Sequence, residues 1–138
     1  MKVFIDTNVI VDALTKREPF YEDSLEVIRS CDMGQNEGLL ASHTLTNTYY
    51  LMRKDYTEEA RRDVLLDLTE MFTVIGVDKE KLQAALNNTD FLDFEDGVQY
   101  ECATVSNVDV IVTRDVKHFA NSQIKVMTPH DFIANTSL

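Results

Sequence analysis

Residues 2–11 read KVFIDTNVIV, and this stretch decides the fold. Val3-Phe4-Ile5 is a β-branched and aromatic run of the kind that fills a buried strand. It stops on a carboxylate, Asp6. Thr7 or Asn8 is then suited to cap a helix reaching about Leu14. A buried strand that ends on an acid and turns at once into a helix places a charged group at the strand's carboxyl end.

Outward from this unit the chain alternates between strand and helix patterns. Glu18-Pro19-Phe20 sets proline near the first turn of a second helix, with Phe20, Ser24, Val27, Ile28 and Cys31 on one face. Leu39-Leu40-Ala41 reads as a second strand. A helix then begins at Ser42 or His43 and is expected to run to about Lys54. Thr57-Glu58-Glu59 opens a helix with Val64, Leu65, Leu68 and Phe72 on its apolar stripe, followed by a strand at Thr73-Val74-Ile75. Asp78 caps a short helix to about Leu86, and Asp93 to Ser106 is helical, with Phe94, Val98, Cys102 and Val105 in step. Strands at Val110–Thr113 and Ile124–Met127 follow, and Thr128-Pro129 opens a last short helix. This order predicts an α/β fold, one domain over residues 1–138, with a mainly parallel sheet of about five strands and helices on both faces. In such sheets ligands bind outside the carboxyl ends of the strands, which is where Asp6 stands.

Composition narrows the function classes. The net charge is −11, from 24 acidic and 13 basic residues, and argues against a broad Lys/Arg grip on nucleic acid. It leaves room for a nucleic-acid enzyme, because a divalent cation reverses the local field. No run approaches a membrane span, and Asp6 interrupts the first apolar segment too early for a signal peptide. Cys31 and Cys102 read as free thiols in a reducing cytosol, so the expected location is cytoplasmic, without membrane contact. No phosphate-binding glycine motif or nucleophile elbow occurs, and His43, His118 and His130 lack zinc-ligand spacing.

The acids are the informative residues. Asp115 follows the fourth strand as Asp6 follows the first. DFLDFED, residues 90–96, carries four acids and no base. Asp93 and Asp96 share a helix face. If that helix starts beside the ends of the first and fourth strands, Asp6, Asp96, Asp115 and Asp93 converge. Crowded carboxylates raise one another's pKa and require a compensating cation. A hard, oxygen-liganded ion such as Mg²⁺ or Mn²⁺ fits, and with it metal-assisted phosphoryl transfer to water. Each acid also has a structural reading. Asp93 serves as a helix cap, Asp96 as a first-turn anion, and Asp6 and Asp115 as turn or Asx-type caps.

The residues VFIDTNVIVDAL, then DFEDGVQYECA, then DVIVTRDVKHF resemble the PIN-domain ribonucleases, many of them toxins of bacterial VapBC-type toxin–antitoxin pairs. Order and spacing match over essentially the whole chain. The resemblance implies a three-layer α/β/α sandwich, a Mg²⁺ or Mn²⁺ site and endonucleolytic cleavage of RNA. It also implies an antitoxin protein as partner. Dimerisation is common in such proteins, and Val9–Leu14 and Phe20–Cys31 are candidate contacts. By position, Asp6, Asp96 and Asp115 match the catalytic, metal-binding acids, with Asp93 one turn before Asp96. Thr7, Asn8 and Thr113 match polar residues that support them. Lys54, Arg114 and Lys117 are the expected substrate-side cations. One departure stands out: the family's usual glutamate in the helix after the second strand corresponds here to Asn47, a neutral and weaker ligand. Asn47, Tyr50 and Lys54 are expected on one helical face, where Asn47 would hold a water or a phosphate.

Two readings of different class follow. One is a metal-dependent endoribonuclease acting as a toxin. The other is a PIN-like module that binds RNA or protein with little catalysis, favoured by Asn47 and the acidic charge. A phosphoaspartate domain is weaker, since Asn8 stands where haloacid-dehalogenase-type phosphatases place a second Asp, and the acidic pair of receiver domains is absent.

Overall fold

The computed structural model describes residues 1–136. Five strands, β1 (Lys2–Ile5), β2 (Glu37–Ala41), β3 (Thr73–Ile75), β4 (Val110–Val112) and β5 (Lys125–Met127), form one sheet in the order β3-β2-β1-β4-β5. All four pairings are parallel. Seven helices connect and cover them: α1 (Thr7–Leu14), α2 (Tyr21–Asp32), α3 (Ser42–Leu51), α4 (Glu58–Met71), α5 (Lys79–Asn87), α6 (Phe94–Val105) and α7 (Pro129–Thr136).

The alternation of side chains along each strand builds two cores. Val3, Ile5, Leu40, Val110 and Val112 face one side and pack with Val9 and Ile10 of α1, Val27 and Ile28 of α2, Leu68 of α4 and Phe132 of α7. Phe4, Leu39, Ala41 and Ile111 face the other side and pack with Phe91, Phe119 and the α6 residues Cys102 and Ala103. α5 lies against α6. The result is the expected α/β/α sandwich, apolar on both sheet faces because both are covered. Gly38 is set by this packing. A Cβ there would run into the Phe72 ring and stand 2.8 Å from Cys31 Sγ.

Two local expectations are corrected. The N-cap of α1 is Asp6, in extended conformation (φ −67°, ψ 148°), rather than Thr7 or Asn8. Its backbone carbonyl accepts from Val9 N–H, while its side chain makes no cap bond. The carboxylate is turned toward β4 and α6 instead. The second correction concerns α3, which ends at Leu51 and not near Lys54. Met52 is fully buried and anchors the helix end, and Arg53 N–H and Asp55 N–H then bond three residues back in turns. Lys54 therefore leaves the face shared by Asn47 and Tyr50.

Candidate metal centre

Parallel pairing in register brings the ends of β1 and β4 together. Ile5 pairs with Val112, so Asp6 and Thr113 emerge side by side, and Asp6 N–H donates to Val112 O at 3.0 Å. Thr113 Oγ1 donates to Asp6 Oδ2 at 2.6 Å. From α6, the buried Gln99 donates through Nε2 to Asp6 Oδ1 at 2.7 Å, and its Oε1 accepts from Thr7 N–H at 3.3 Å. Both Asp6 oxygens are thus fixed. Thr7 Oγ1 lies 2.8 Å from Thr44 Oγ1, a hydroxyl pair that ties α1 to α3. Asn8 bridges outward. Its Nδ2 donates to Asp115 Oδ2 at 3.2 Å and its Oδ1 accepts from Arg114 N–H at 3.2 Å.

The start of α6 distributes its acids by helix geometry. Asp93 is the N-cap, accepting from Asp96 N–H at 3.0 Å. Glu95 and Asp96 fall in the first turn, where the free N–H groups and the helix dipole favour negative charge. One carboxylate oxygen from each of Asp6, Glu95 and Asp96 lies within 4.8 Å of the others. Glu95 Oε2 is 2.7 Å from His43 Nε2 of α3. His118 Nδ1 stands between two acids, 3.2 Å from Asp96 Oδ2 and 4.0 Å from Asp115 Oδ2.

Burial and crowding both act on these carboxyls. Burial raises the pKa of Asp6 above its ordinary value, against the lowering effect of the Thr113 and Gln99 hydrogen bonds. Asp96 is pushed up to about 8, first by burial and then by the charges of Asp6, Asp93, Glu95 and Asp115. Without a cation the crowded carboxyls of Asp6 and Asp96 therefore favour keeping a proton between them. A divalent ion among three oxygens would remove the need for that proton. The donor set is all oxygen, which suits Mg²⁺ or Mn²⁺ better than a softer ion.

The cluster lines a cleft of about 480 Å³. Asp6, Thr7, Asn8, Asn47, Asp93, Asp96, Arg114 and Asp115 all reach it, so the residues singled out from sequence at the strand ends and at the α6 start are brought together. Thr113 is buried beneath it. Lys54 does not line the cleft, and Lys117 lines a neighbouring pocket together with His118 and Asp93. Arg114 reaches the cleft already engaged: its Nε is 3.0 Å from Asp12 Oδ2, and its guanidinium sits 4.7 Å from the centre of the Phe20 ring. Asp12 is almost wholly buried, which raises its pKa, and Arg114 works against that rise.

Sequence reading missed Glu95, Gln99, His43, His118 and the Asp12–Arg114 pair. Gln99 carries a usable signal, since it follows Asp96 by three and shares its helix face. Glu95 and His43 are adjacent only in the fold.

The family model described as PIN domain matches residues 2–117. Ribonuclease VapC1 of Aquifex aeolicus (strain VF5) is 29% identical over 135 residues, covering 95% of this chain and 92% of that protein. Among solved structures, a toxin–antitoxin complex from Klebsiella pneumoniae has a chain that superposes with a TM-score of 0.70 at 17% identity, over 92% of this chain and 97% of that one. A chain of DNA-bound VapBC from Salmonella typhimurium gives a TM-score of 0.69 at 18% identity, over 94% and 98%. At these identities the two structures speak for the fold alone.

Proposed function

The chain belongs to the PIN-domain family, and from that premise we propose that it is a divalent-metal-dependent endoribonuclease and the toxin of a toxin–antitoxin pair. The observation that carries the reading is the meeting of Asp6, Glu95 and Asp96 within 4.8 Å at the carboxyl end of β1. The relative named a ribonuclease and the fold neighbours taken from toxin–antitoxin complexes support it.

Asp6, Asp96 and Glu95 would hold Mg²⁺ or Mn²⁺, with Asp93 and Asp115 at the cleft wall beside them. The bound ion supplies positive charge that activates water and offsets charge developing on a phosphoryl oxygen. This chain's residues do the positioning. Thr113 and Gln99 fix the two oxygens of Asp6, and Asn8 holds Asp115 toward the cleft. His118, set between Asp96 and Asp115, is placed to give a proton to the leaving oxygen as its bond to phosphorus breaks. Arg17 and Arg114 line the cleft as substrate-side cations, and Lys117 stands in the adjoining pocket. Substrate is RNA, and the partner is a protein antitoxin. Among the described residues no helix is long and apolar enough to cross a membrane, and the proposed site of action is the cytoplasm.

The test is cleavage of a defined RNA by the full chain with Mn²⁺ and with Mg²⁺, against Asp6→Asn and a chelator. Metal-dependent internal cleavage that Asp6→Asn abolishes supports the reading. Equal cleavage by both proteins refutes it. The neutral Asn47 on the cleft wall favours the second reading, an RNA- or protein-binding module. Metal and RNA binding without cleavage would establish that one.

A further inference from the structure

We infer that Glu95 is a ligand of the metal centre and that His43 is the residue that positions it, an inference that rests on the metal-dependent reading above. α3 runs along the cleft but contains no acid in Ser42–Leu51. The α3 residues that line the cleft are Asn47, Tyr50 and Leu51, and none of them is a carboxylate. The third carboxylate comes from α6 instead, and α3 contributes by holding it.

Glu95 needs such a hold. Its side chain is 40% exposed and has three rotors, so nothing in its own helix keeps its carboxylate turned toward Asp6 and Asp96. His43 reaches it from 52 residues away in sequence. The tautomer follows from the surroundings. His43 Nδ1 is buried with no hydrogen-bond partner among the described residues, and Nε2 faces the carboxylate at 2.7 Å. A proton on Nδ1 would be an unsatisfied buried donor and would set a lone pair against Glu95. Nε2 therefore carries the hydrogen and donates to Glu95 Oε2. A histidine that donates to a ligand carboxylate fixes its direction, and removal of such outer partners typically weakens metal binding by about 10–100-fold.

The experiment is calorimetric titration of Mn²⁺ alone into the full chain and four variants: Asp6→Asn, Glu95→Gln, His43→Ala and His43→Gln. Glu95→Gln is expected to weaken Mn²⁺ binding at least about tenfold, and His43→Ala to weaken it by about tenfold. His43→Gln should recover most of the loss, because the Gln amide presents an N–H donor near the position of Nε2. That rescue separates positioning from mere packing. Melting in chelator reports folding for each variant, and His43→Gln keeps the test decisive where His43→Ala folds poorly. Loss of Mn²⁺ affinity in Asp6→Asn with wild-type affinity in Glu95→Gln overturns the ligand assignment and leaves the metal centre standing. Wild-type affinity in His43→Ala, or equal weakening in His43→Ala and His43→Gln, overturns the positioning role. Equal affinity in wild type and Asp6→Asn removes the metal-dependent reading itself.

Discussion

Asp96→Asn should convert a pH-sensitive protein into one with a flatter stability profile. In the folded protein without a cation, burial and four neighbouring acids push the Asp96 carboxyl from 3.8 to about 8. Below pH 4 the group is protonated in both folded and unfolded chains and contributes no difference. Between about 4 and 8 the folded protein keeps a proton that the unfolded chain has released, so stability falls as pH rises. Above 8 the loss is complete and constant. At about 1.4 kcal/mol per tenfold, the full span corresponds to about 6 kcal/mol. Proton sharing with Asp6 and relaxation of the half-buried Glu95 reduce it, and roughly half, about 3 kcal/mol, is expected to survive. For a chain of this length that is roughly 10 °C in melting temperature. The assay is urea unfolding of wild type and Asp96→Asn in chelator at pH 5 and pH 8.5. At pH 5 the variant should be ahead by only about a quarter of the full gap, because the unfolded acid has begun to ionise while the folded one has not, and at pH 8.5 it should be ahead by the whole of it. Saturating Mn²⁺ at pH 8.5 should raise wild type more than the variant. A stability gap of the same size at both pH values would refute the argument, because it would mean that Asp96 carries no extra proton in the fold.

Asp6→Asn should abolish metal-dependent RNA cleavage and leave the melting temperature in chelator unchanged or raised, since it removes a buried charge from a crowded cluster; cleavage and circular dichroism on one preparation check both. Asn47→Glu should tighten Mn²⁺ binding in the absence of RNA, by about tenfold if the new carboxylate reaches the ion; equal affinity by calorimetry would place Asn47 outside the coordination shell. Gly38→Ala should destabilise by roughly 2–3 kcal/mol in urea, because the added methyl meets the Phe72 ring and Cys31 Sγ inside a close-packed core.

The layered fold was legible because both sheet faces are covered. Runs such as Val3-Phe4-Ile5 and Val110-Ile111-Val112 are apolar throughout, and helix patterns separate them, which leaves parallel crossovers as the natural solution. Asp6 and Asp115 were legible for the same reason, since a parallel sheet has one carboxyl edge. Of the four acids of residues 90–96, Asp93 and Asp96 stood out in sequence by their shared helix face, while Glu95 did not. Which of them caps and which points into the cleft depends on where the helix begins. Once Asp93 takes the cap, Glu95 and Asp96 fall in the first turn. The His43–Glu95 and Gln99–Asp6 bonds join segments 52 and 93 residues apart, and no local pattern announces them. The early end of α3 was hidden because no glycine or proline marks it: the chain passes into turns at Met52 with helical backbone angles.

The position of β1 has a consequence for how the protein is made. Its neighbour β2 comes soon after it on the chain, but its other neighbour is β4, and Thr113 meets Asp6 across 107 residues of sequence. On a ribosome, a chain that has emerged only through β3 has β1 with one edge bare and Asp6 without Thr113, Gln99, Glu95 or Asp96. Long-range parallel pairing of this kind is slow to form and waits on loop closure. The nascent chain thus lacks the gathered carboxylates of the proposed metal site until the segment carrying Thr113 and Asp115 has cleared the exit tunnel. For a proposed RNA-cleaving enzyme synthesised on an RNA machine, strand order delays the appearance of activity until translation of the domain is all but finished.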